Sequence, residues 1–377
     1  MKRPRSSAPE RRRGSGPLAA LLLAALLLAG GLLARGWWTP PVRAAHSSGS
    51  AVAPACVPQS AVAATASALQ AAAHVTLYVE PHDGKRVVSR AILRARHSIL
   101  LQMYLLTDRT LLHDLERAAA RGVAVNVILE RRPYTSSGDN PNLYAYNNLL
   151  AAELPTRWSA PAFALTHAKT MVVDGQAAYI MTTNYTRAAF RSNREFVVVD
   201  REGQDVRQVR DVFWADWRGQ PLAPHDARTP ISPSTARPLL SRLVSSAMAS
   251  IEVYAEEFQD PKMACLLASQ AGRGRRVRVL LPAASAGSEA REGPLIALLT
   301  RAGGRVRRMP PHGLYIHAKA IVADGRTAFV GSENFSAASL DRNREVGLLL
   351  SDPVAVRRLL ATFQTDWASA RVVPGSR

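Results

Sequence analysis

Two stretches of the sequence carry the same polar residue types at the same spacing. "HAKTMVVDGQAAYIMTTN" begins at His167, and "HAKAIVADGRTAFVGSEN" begins 150 residues later at His317. A Glu lies 28 positions after each His. The repeated residues are His167, Lys169, Asp174, Asn184 and Glu195, and then His317, Lys319, Asp324, Asn334 and Glu345. A single His-x-Lys on a strand carries little weight, but this set recurs in one register while most surrounding residues have changed, which favours function over a core role.

These residue types suit chemistry on a phosphodiester, which is negatively charged and a poor electrophile. Cleavage without a metal requires a nucleophile, an acid for the departing alkoxide and cations around the phosphoryl oxygens. Histidine can perform the first two tasks because its pKa lies near neutrality. Lysine supplies charge and asparagine a neutral donor. A carboxylate on the far nitrogen of each His would fix its tautomer, and Glu195 and Glu345 are the candidates.

The repetition extends well beyond the motifs. Pro81, Ser89, Arg90, Ser98 and Ile99 recur 152 residues later, and Phe213, Asp216 and Trp217 recur after 150 as Phe363, Asp366 and Trp367. Each copy alternates helices and strands and contains a "DG" hairpin within its motif. This pattern predicts two duplicated α/β lobes related by a pseudo-two-fold axis, with the two motifs facing one shared active site. The aromatic ends of both copies are predicted to be core-facing helices without a catalytic part.

The domain organisation follows from composition. Residues 1–44 contain a basic cluster and an apolar run at residues 18–34, which predicts either a cleaved signal peptide or an N-terminal membrane anchor. Both alternatives predict export: a chain that is secreted, periplasmic or anchored on the outer face of the membrane. Residues 45–73 are rich in Ala, Ser and Pro and are predicted to be a linker. The lobes are predicted at residues 74–225 and 226–372.

The net charge indicates which classes of partner the protein could bind, and the cysteine content bears on disulfides and metal sites. A hydrophobic fraction of 47% supports a sizeable core, and a formal charge of +19 favours polyanions such as nucleic acid, an anionic membrane or a phosphate-bearing substrate. Outside the cytoplasm Cys56 and Cys265 could pair, but the first lies in the linker, and two unpaired thiols are the preferred interpretation. Neither has neighbours at metal-ligand spacing, so a zinc site is not indicated.

The paired motifs resemble the His-x-Lys-(x)4-Asp-(x)6-Gly-Ser-x-Asn signature of the phospholipase D superfamily, over about residues 75–370. The first motif departs from it, with Met181 and Thr182 in place of Gly-Ser. The resemblance implies a reaction without a metal or other cofactor. It implies that His167 is the nucleophile, passing through a phosphohistidine, and that His317 protonates the leaving group and then activates water. It further implies phosphoryl-binding roles for Lys169, Lys319, Asn184 and Asn334, orienting roles for Glu195 and Glu345, hydroxyl donors at Thr182 and Ser332, and local supports of the strand turn at Asp174 and Asp324.

The departure at Met181 bears on the first half-site. If a glycine were needed there for close backbone approach, this half-site would be distorted. Because Thr182 keeps the hydroxyl group, we expect activity to survive.

The resemblance leaves the substrate open, since the superfamily includes lipases, phosphatidyl transferases that make cardiolipin, and metal-independent nucleases. The segments before the motifs, residues 131–163 and 282–314, carry aromatic and basic residues that suit either a lipid interface or single-stranded nucleic acid. The predicted export favours a phospholipase D that hydrolyses phospholipid headgroups to phosphatidic acid at a membrane surface. A secreted or periplasmic endonuclease is the second hypothesis, a cardiolipin synthase-like transferase the third, and a module that only binds phosphodiesters the last.

Overall fold

The structure is a computed structural model that describes Cys56 and residues 69–134 and 138–373. The predicted signal peptide or anchor at residues 1–44, and most of the predicted linker, lie outside these described residues. In the part of the chain that the structure describes, no helix is both long and apolar enough to cross a membrane.

The described elements fall into two successive sets of strands and helices. The first set is β1 (Val75–Glu80), α1 (Arg86–Arg94), β2 (Ser98–Met103), α2 (Arg109–Ala120), β3 (Ala124–Leu129), α3 (Leu143–Ala151), β4 (Thr156–Trp158), β5 (Lys169–Val173), β6 (Ala177–Met181), β7 (Asn193–Asp200) and α4 (Gly203–Arg218). The second set is β8 (Ile231–Ser232), α5 (Ala236–Ser246), β9 (Ser250–Tyr254), α6 (Pro261–Gly272), β10 (Arg276–Leu281), α7 (Ala286–Arg301), β11 (Arg305–Arg308), β12 (Tyr315–Ile316), β13 (Ala320–Ala323), β14 (Thr327–Gly331), α8 (Ala337–Asp341), β15 (Glu345–Leu350), α9 (Pro353–Ser369) and β16 (Arg371–Val372).

Each set builds one mixed sheet, which confirms the predicted duplicated α/β fold. The first sheet has the order β1-β7-β6-β5-β2-β3-β4, and the second has the order β16-β11-β10-β9-β13-β14-β15-β8. In both sheets three neighbouring strands are parallel: β2-β3-β4 in the first and β9-β10-β11 in the second. The hairpins β5–β6 and β13–β14 add antiparallel strands to β2 and β9, so the motif residues enter the centre of each sheet.

The "DG" dipeptides form the hairpin turns that the sequence predicts. Asp174 and Gly175 both have positive φ, as do Asp324 and Gly325, and this conformation suits a two-residue hairpin. The Asp174 carboxylate also accepts hydrogen bonds from the backbone of Arg96, His97 and Ser98, and Asp324 does the same at residues 248–250. The signature aspartates therefore fasten each hairpin to the start of the neighbouring central strand.

The two lobes share part of their core. One hydrophobic cluster combines first-lobe side chains such as Val198 and Phe213 with second-lobe side chains such as Val330 and Phe363. Phe213 and Phe363 are almost completely buried in α4 and α9, which confirms that the repeated aromatic ends face the core. Strand β12 of the second set pairs with β7 of the first sheet, so the backbone also crosses between the lobes.

Two ion pairs, one buried and one partly buried, join the lobes in both directions. Arg194 of β7 contacts Asp366 of α9 at 2.6 and 2.9 Å, and Arg344, next to β15, contacts Asp216 of α4 at 2.9 to 3.1 Å. These are equivalent residues of the two copies, 150 positions apart. The repeated aspartates, which the sequence suggests only as parts of core helices, are therefore partners of arginines in the opposite lobe.

The structure corrects the prediction for the cysteines. Cys56 and Cys265 form a disulfide that links the segment before the first lobe to α6 of the second. Ala72, within the predicted linker, also exchanges backbone hydrogen bonds with the second sheet at Leu349 and Ser351. The low-complexity composition concealed these attachments, because alanine and serine can lie against a folded surface as well as in a free tether.

The inter-lobe ion pairs predict a specific stability defect. In Arg344→Gln the Asp216 carboxylate stays buried without its counter-charge, and such a loss costs about 3–5 kcal/mol. We expect a clear drop in the melting temperature, partly recovered by adding Asp216→Asn. Arg357→Gln, on the exposed side of α9, is the matched control and should melt like the wild type. Equal melting temperatures for Arg344→Gln and the control would show that the pair contributes nothing.

Candidate active site

The two motif histidines lie where the lobes meet. The backbone N–H of His167 donates to the carbonyl of Arg344 (2.9 Å), and that of His317 donates to the carbonyl of Arg194 (3.3 Å). Each His, two positions before its motif Lys, is therefore held by the backbone of the opposite lobe. The structure brings the two motifs together, as the predicted pseudo-two-fold arrangement requires.

The histidine–glutamate contacts also cross between the lobes. Nδ1 of His167 lies 2.9 and 3.1 Å from the carboxylate oxygens of Glu345, and Nδ1 of His317 lies 2.7 Å from Glu195. Spacing along the chain did not show which Glu meets which His. With Nδ1 facing a carboxylate, Nε2 of each ring is the nitrogen left for chemistry.

The carboxylates are themselves oriented by buried donors. Glu345 accepts from the Ser339 hydroxyl (2.6 Å) and the Asn343 amide (3.1 Å). Burial acts to raise the pKa of Glu345, but its contact with His167, the nearby Lys169 and the Ser339 hydrogen bond outweigh this effect and hold the pKa below its ordinary value. Glu345 is therefore ionised opposite His167.

The structure assigns Thr182 and Ser332 a different role from the one expected. The Thr182 hydroxyl donates to Glu195 (2.5 Å), and it also accepts from the backbone N–H of Phe196. The equivalent Ser332 hydroxyl accepts from the N–H of Val346 and donates weakly to the carbonyl of the same residue (3.4 Å). Both are fully buried. They support the strands that carry the glutamates rather than offering hydroxyl groups to a ligand.

His167 lies in an enclosed environment. Its ring meets the edge of Tyr104 with centroids 4.5 Å apart, and only 8% of the residue is exposed. Burial lowers the pKa of His167 below its ordinary value, and the Glu345 charge offsets this only in part. The imidazole is therefore neutral near pH 7, which is the state a nucleophile requires.

The two motif lysines are buried but have different partners. Both Nζ atoms donate to the carbonyl of the His two residues earlier, at 2.5 Å for Lys169 and 2.6 Å for Lys319. Lys319 also contacts the carboxylate of Glu256 at 2.5 Å, whereas none of the described carboxylates pairs with Lys169 at ion-pair distance. Burial, with the nearby charge of Lys319, lowers the pKa of Lys169 to about 7.

The motif asparagines complete the polar lining. Asn184 and Asn334 are 6% and 7% exposed, and the side-chain carbonyl of each is buried without a hydrogen-bond partner among the described residues. Buried amides are ordinarily paired, so these two mark a place where a polar group is needed.

Sequence analysis did not identify Glu256 as a site residue. Its carboxylate lies 3.5 Å from Nε2 of His317 as well as 2.5 Å from Lys319, and it accepts from the Tyr315 hydroxyl at 3.2 Å. Burial opposes its ionisation, but His317 and Lys319 hold its pKa well below the ordinary range. The equivalent residue in the first lobe is Tyr104, 152 positions earlier. The sequence feature that could have indicated Glu256 is the presence of an acidic residue just after a buried central strand.

The departure at Met181 is compensated within the first lobe. In the second lobe, a side chain at Gly331 would come within 2.6 Å of the Gly347 backbone and would also clash with the buried Glu333 carboxylate. The first lobe has Thr183 in place of Glu333, and it fills the space with Met181, which is fully buried in the core. The glycine therefore accommodates a second-lobe carboxylate and is not required in the first lobe.

The aromatic and basic segments before the motifs divide between surface and core. Tyr134 and Tyr144 are exposed, whereas Tyr146 stacks on Trp158 with centroids 3.9 Å apart. In the second segment, Arg308 is buried against Glu292. Some of these residues are therefore structural rather than available to a substrate.

Two α/β lobes that each contribute one His-x-Lys-Asn set to a common site are the arrangement expected for the phospholipase D superfamily. A family model described as "Cardiolipin synthase, PLD-like domain" matches residues 88–217 and 240–367, together more than half of the chain. The chain belongs to this family of phospholipase D-like domains.

Individual relatives share about one third of their residues with this chain, over only part of its length. A mouse "Mitochondrial cardiolipin hydrolase" is 31% identical over 149 residues, 39% of this chain and 66% of the relative. A Listeria monocytogenes "Cardiolipin synthase" is 34% identical over 127 residues, 32% of this chain and 25% of the relative. The chain thus spans less than two thirds of each. The Haemophilus influenzae phosphatidylserine synthase structure covers 80% of this chain and 89% of its own, with a TM-score of 0.64 at 12% identity, a likeness in fold.

Glu256 predicts a shift in pH dependence. Glu256→Gln removes a negative charge that raises the pKa of Lys169, so the Lys169 pKa should fall further. We expect the alkaline limb of kcat/KM on a soluble phosphodiester to move to lower pH. Glu289→Gln, on the exposed start of α7, should leave the profile unchanged. A limb that stays in place, or moves to higher pH, would contradict the electrostatic role of Glu256.

Gly331 predicts a packing defect confined to the second lobe. Gly331→Ala places a methyl group against the Glu333 carboxylate and the Gly347 backbone, and overpacking of this kind costs about 1–3 kcal/mol. A lower melting temperature should result. Gly293→Ala in α7, where the added carbon meets no atom within 4 Å, is the control and should not destabilise. If both variants melt alike, the glycine is not required by packing.

Proposed function

We propose that the protein is a phosphodiesterase of the phospholipase D type that acts on phospholipids without a metal. The observation that carries this proposal is the pair of histidines, each held through Nδ1 by a buried glutamate of the opposite lobe. Such pairs leave two Nε2 atoms in one site, where one can attack phosphorus and the other can transfer a proton.

In the first step, neutral His167 attacks phosphorus through Nε2, and the bond from phosphorus to the leaving oxygen breaks. Protonated His317 gives its Nε2 proton to that oxygen, which leaves as an alcohol. The Nδ1–H of His167 stays directed at Glu345, which stabilises the positive charge that develops on the ring. Lys169, Lys319, Asn184 and Asn334 are the groups that would hold the phosphoryl oxygens.

In the second step, the phosphohistidine at His167 is hydrolysed. His317, now neutral, takes a proton from water, and the water oxygen attacks phosphorus as the bond to Nε2 of His167 breaks. The product is a phosphomonoester, which is phosphatidic acid when the substrate is a phospholipid. The lysines supply the positive charge that a metal would otherwise bring to the transition state.

The choice of a phospholipid is supported by the relatives, whose names refer to cardiolipin hydrolysis and cardiolipin synthesis. A phosphatidyl transferase is the second candidate, favoured by the similarity to the Listeria protein. Transfer uses the same phosphohistidine but admits an alcohol instead of water, so the products distinguish the two reactions.

Export of the protein is part of the proposal. The Cys56–Cys265 disulfide supports it, because structural disulfides persist mainly in oxidising compartments outside the cytoplasm. Residues 1–44 would then act as a signal peptide or as an anchor on the outer face of the membrane.

The decisive experiment is turnover of mixed phosphatidylcholine and phosphatidylglycerol vesicles in excess EDTA. We expect phosphatidic acid from the wild type and at least a 1,000-fold lower rate from His167→Ala and from His317→Ala, since each removes a reacting group. Because a phosphohistidine is labile in acid, the reaction is quenched at alkaline pH, and substrate labelled in its phosphatidyl group should leave label on His317→Ala but not on His167→Ala.

The products and the chelator decide between alternatives. Cardiolipin in place of phosphatidic acid would favour the transferase. Loss of activity in EDTA would exclude the metal-free mechanism. Cleavage of single-stranded DNA or RNA with intact vesicles would move the assignment to a nuclease, and binding without turnover of any of these would leave a phosphodiester-binding module.

A further inference from the structure

The first lobe contains a positively charged cleft that the proposed chemistry does not use. It has a volume of about 910 Å³ and lies between the turn before α1, the start of α2 and the segment after Asn184. Its basic lining residues are Lys85, Arg86, Arg109, Arg187 and Arg191. The N-terminal ends of α1 and α2 both border the cleft, and their helix dipoles add to its positive potential.

The equivalent place in the second lobe is closed by its own charges. Arg237, the counterpart of Lys85, pairs with both Asp260 and Asp341 at 2.6 to 2.9 Å. Asp341 stands where the first lobe has Arg191. The other counterparts in the second lobe are Pro238 for Arg86, Pro261 for Arg109 and Ala337 for Arg187. Duplication alone therefore does not account for the arginines of the cleft.

These four arginines are available to a ligand. All are exposed, and none forms an ion pair with a carboxylate among the described residues. The two acidic residues of the cleft are already engaged, because Asp108 pairs with Lys85 and Asp83 pairs with Arg358.

An exposed apolar strip continues from the cleft. Arg109 lies over the ring of Tyr144 at 5.1 Å, and Tyr144 belongs to α3 together with the exposed Leu143 and Leu150. Tyr134, in the preceding segment, is 87% exposed. The counterpart helix α7 exposes no large apolar side chain, so this feature too is confined to the first lobe.

The strip and the cleft are each connected by hydrogen bonds to residues that adjoin the active site. The backbone of Tyr134 donates to the Tyr104 hydroxyl (2.7 Å), and Asn142, just before α3, donates to the Tyr104 carbonyl (2.8 Å). Tyr104 is the residue that packs on His167. On the cleft side, Asn184 is followed by Tyr185, whose carbonyl accepts from the N–H groups of Thr107 and Asp108.

We propose that this surface, Arg86, Arg109, Arg187 and Arg191 with Tyr134, Leu143, Tyr144 and Leu150, docks the protein onto an anionic lipid bilayer. The arginines match phosphate headgroups, and tyrosine with leucine suits the interfacial layer beneath them. Nucleic acid fits less well, because the leucines offer no stacking surface for bases. The proposal rests on the proposed phospholipid substrate for its biological sense, and the surface next to His167 would place the site at the bilayer.

The test measures binding and does not require turnover. Residues 51–377 include both lobes and both cysteines of the disulfide, so a protein that begins at Ala51 can be used without the apolar run at residues 18–34. With His317→Ala added, this protein is sedimented with phosphatidylcholine vesicles that contain either no phosphatidylglycerol or one quarter of it, in 0.1 M salt.

We expect phosphatidylglycerol-dependent binding, reduced at least tenfold when Arg86, Arg109, Arg187 and Arg191 are all changed to Gln. The matched control changes four other exposed arginines, Arg207, Arg273, Arg301 and Arg357, to Gln, and it should bind within twofold of the parent. A second variant, Leu143→Ser with Tyr144→Ser, should weaken the binding that survives in 0.5 M salt. Melting temperatures establish that each variant is folded.

Three results would overturn the proposal: no binding to phosphatidylglycerol vesicles, equal losses in the arginine variant and its control, or unchanged binding in both surface variants. Binding of single-stranded DNA that depends on the four arginines, without vesicle binding, would assign the cleft to nucleic acid. Because the binding test uses the inactive His317→Ala variant, vesicle binding can be observed even if the proposed hydrolysis is wrong. Conversely, the wild type can turn over vesicles even if the proposed docking surface is wrong.

Discussion

The exchange of histidine and glutamate between the lobes is the constraint on which the site depends. Neither lobe alone can orient its own His, because Glu345 serves His167 and Glu195 serves His317. The residues just before these glutamates, Arg344 and Arg194, form the ion pairs that cross in the same two directions. Lobe association and histidine orientation therefore involve adjacent residues on the same strands, and a change in lobe packing would be felt directly at the reacting nitrogens.

The two half-sites are similar in backbone but different in charge. Tyr104 packs on His167, whereas the equivalent Glu256 contacts Lys319 and lies near Nε2 of His317. The burial that lowers the pKa of His167 favours its neutral form, in agreement with its proposed role as the attacking group. Glu256 gives the second half-site a carboxylate beside Nε2 of His317 that the first half-site lacks.

The sequence predicts the local features of this protein better than those that join distant segments. The "DG" hairpins could be predicted because they depend on a local pattern, and the duplication and motif residues because the two copies repeat the same residues at a fixed spacing. The exchange of Glu195 and Glu345, the Arg194–Asp366 pair and the Cys56–Cys265 disulfide connect segments far apart in the chain, and no local pattern encodes such partners. Glu256 was not predicted as a site residue because the equivalent residue of the first copy is Tyr104, so the two copies do not share it.

The burial of Lys169 links substrate binding to protonation. Its pKa of about 7 means that the lysine is only partly charged at neutral pH, because burial and Lys319 disfavour the ammonium form and the described carboxylates leave it without an ion-pair partner. A phosphodiester beside Nζ would supply the missing negative charge and raise this pKa. Above pH 7 the anion would therefore bind together with a proton, and the charge that stabilises the phosphoryl group would be fully present only when the substrate is in place.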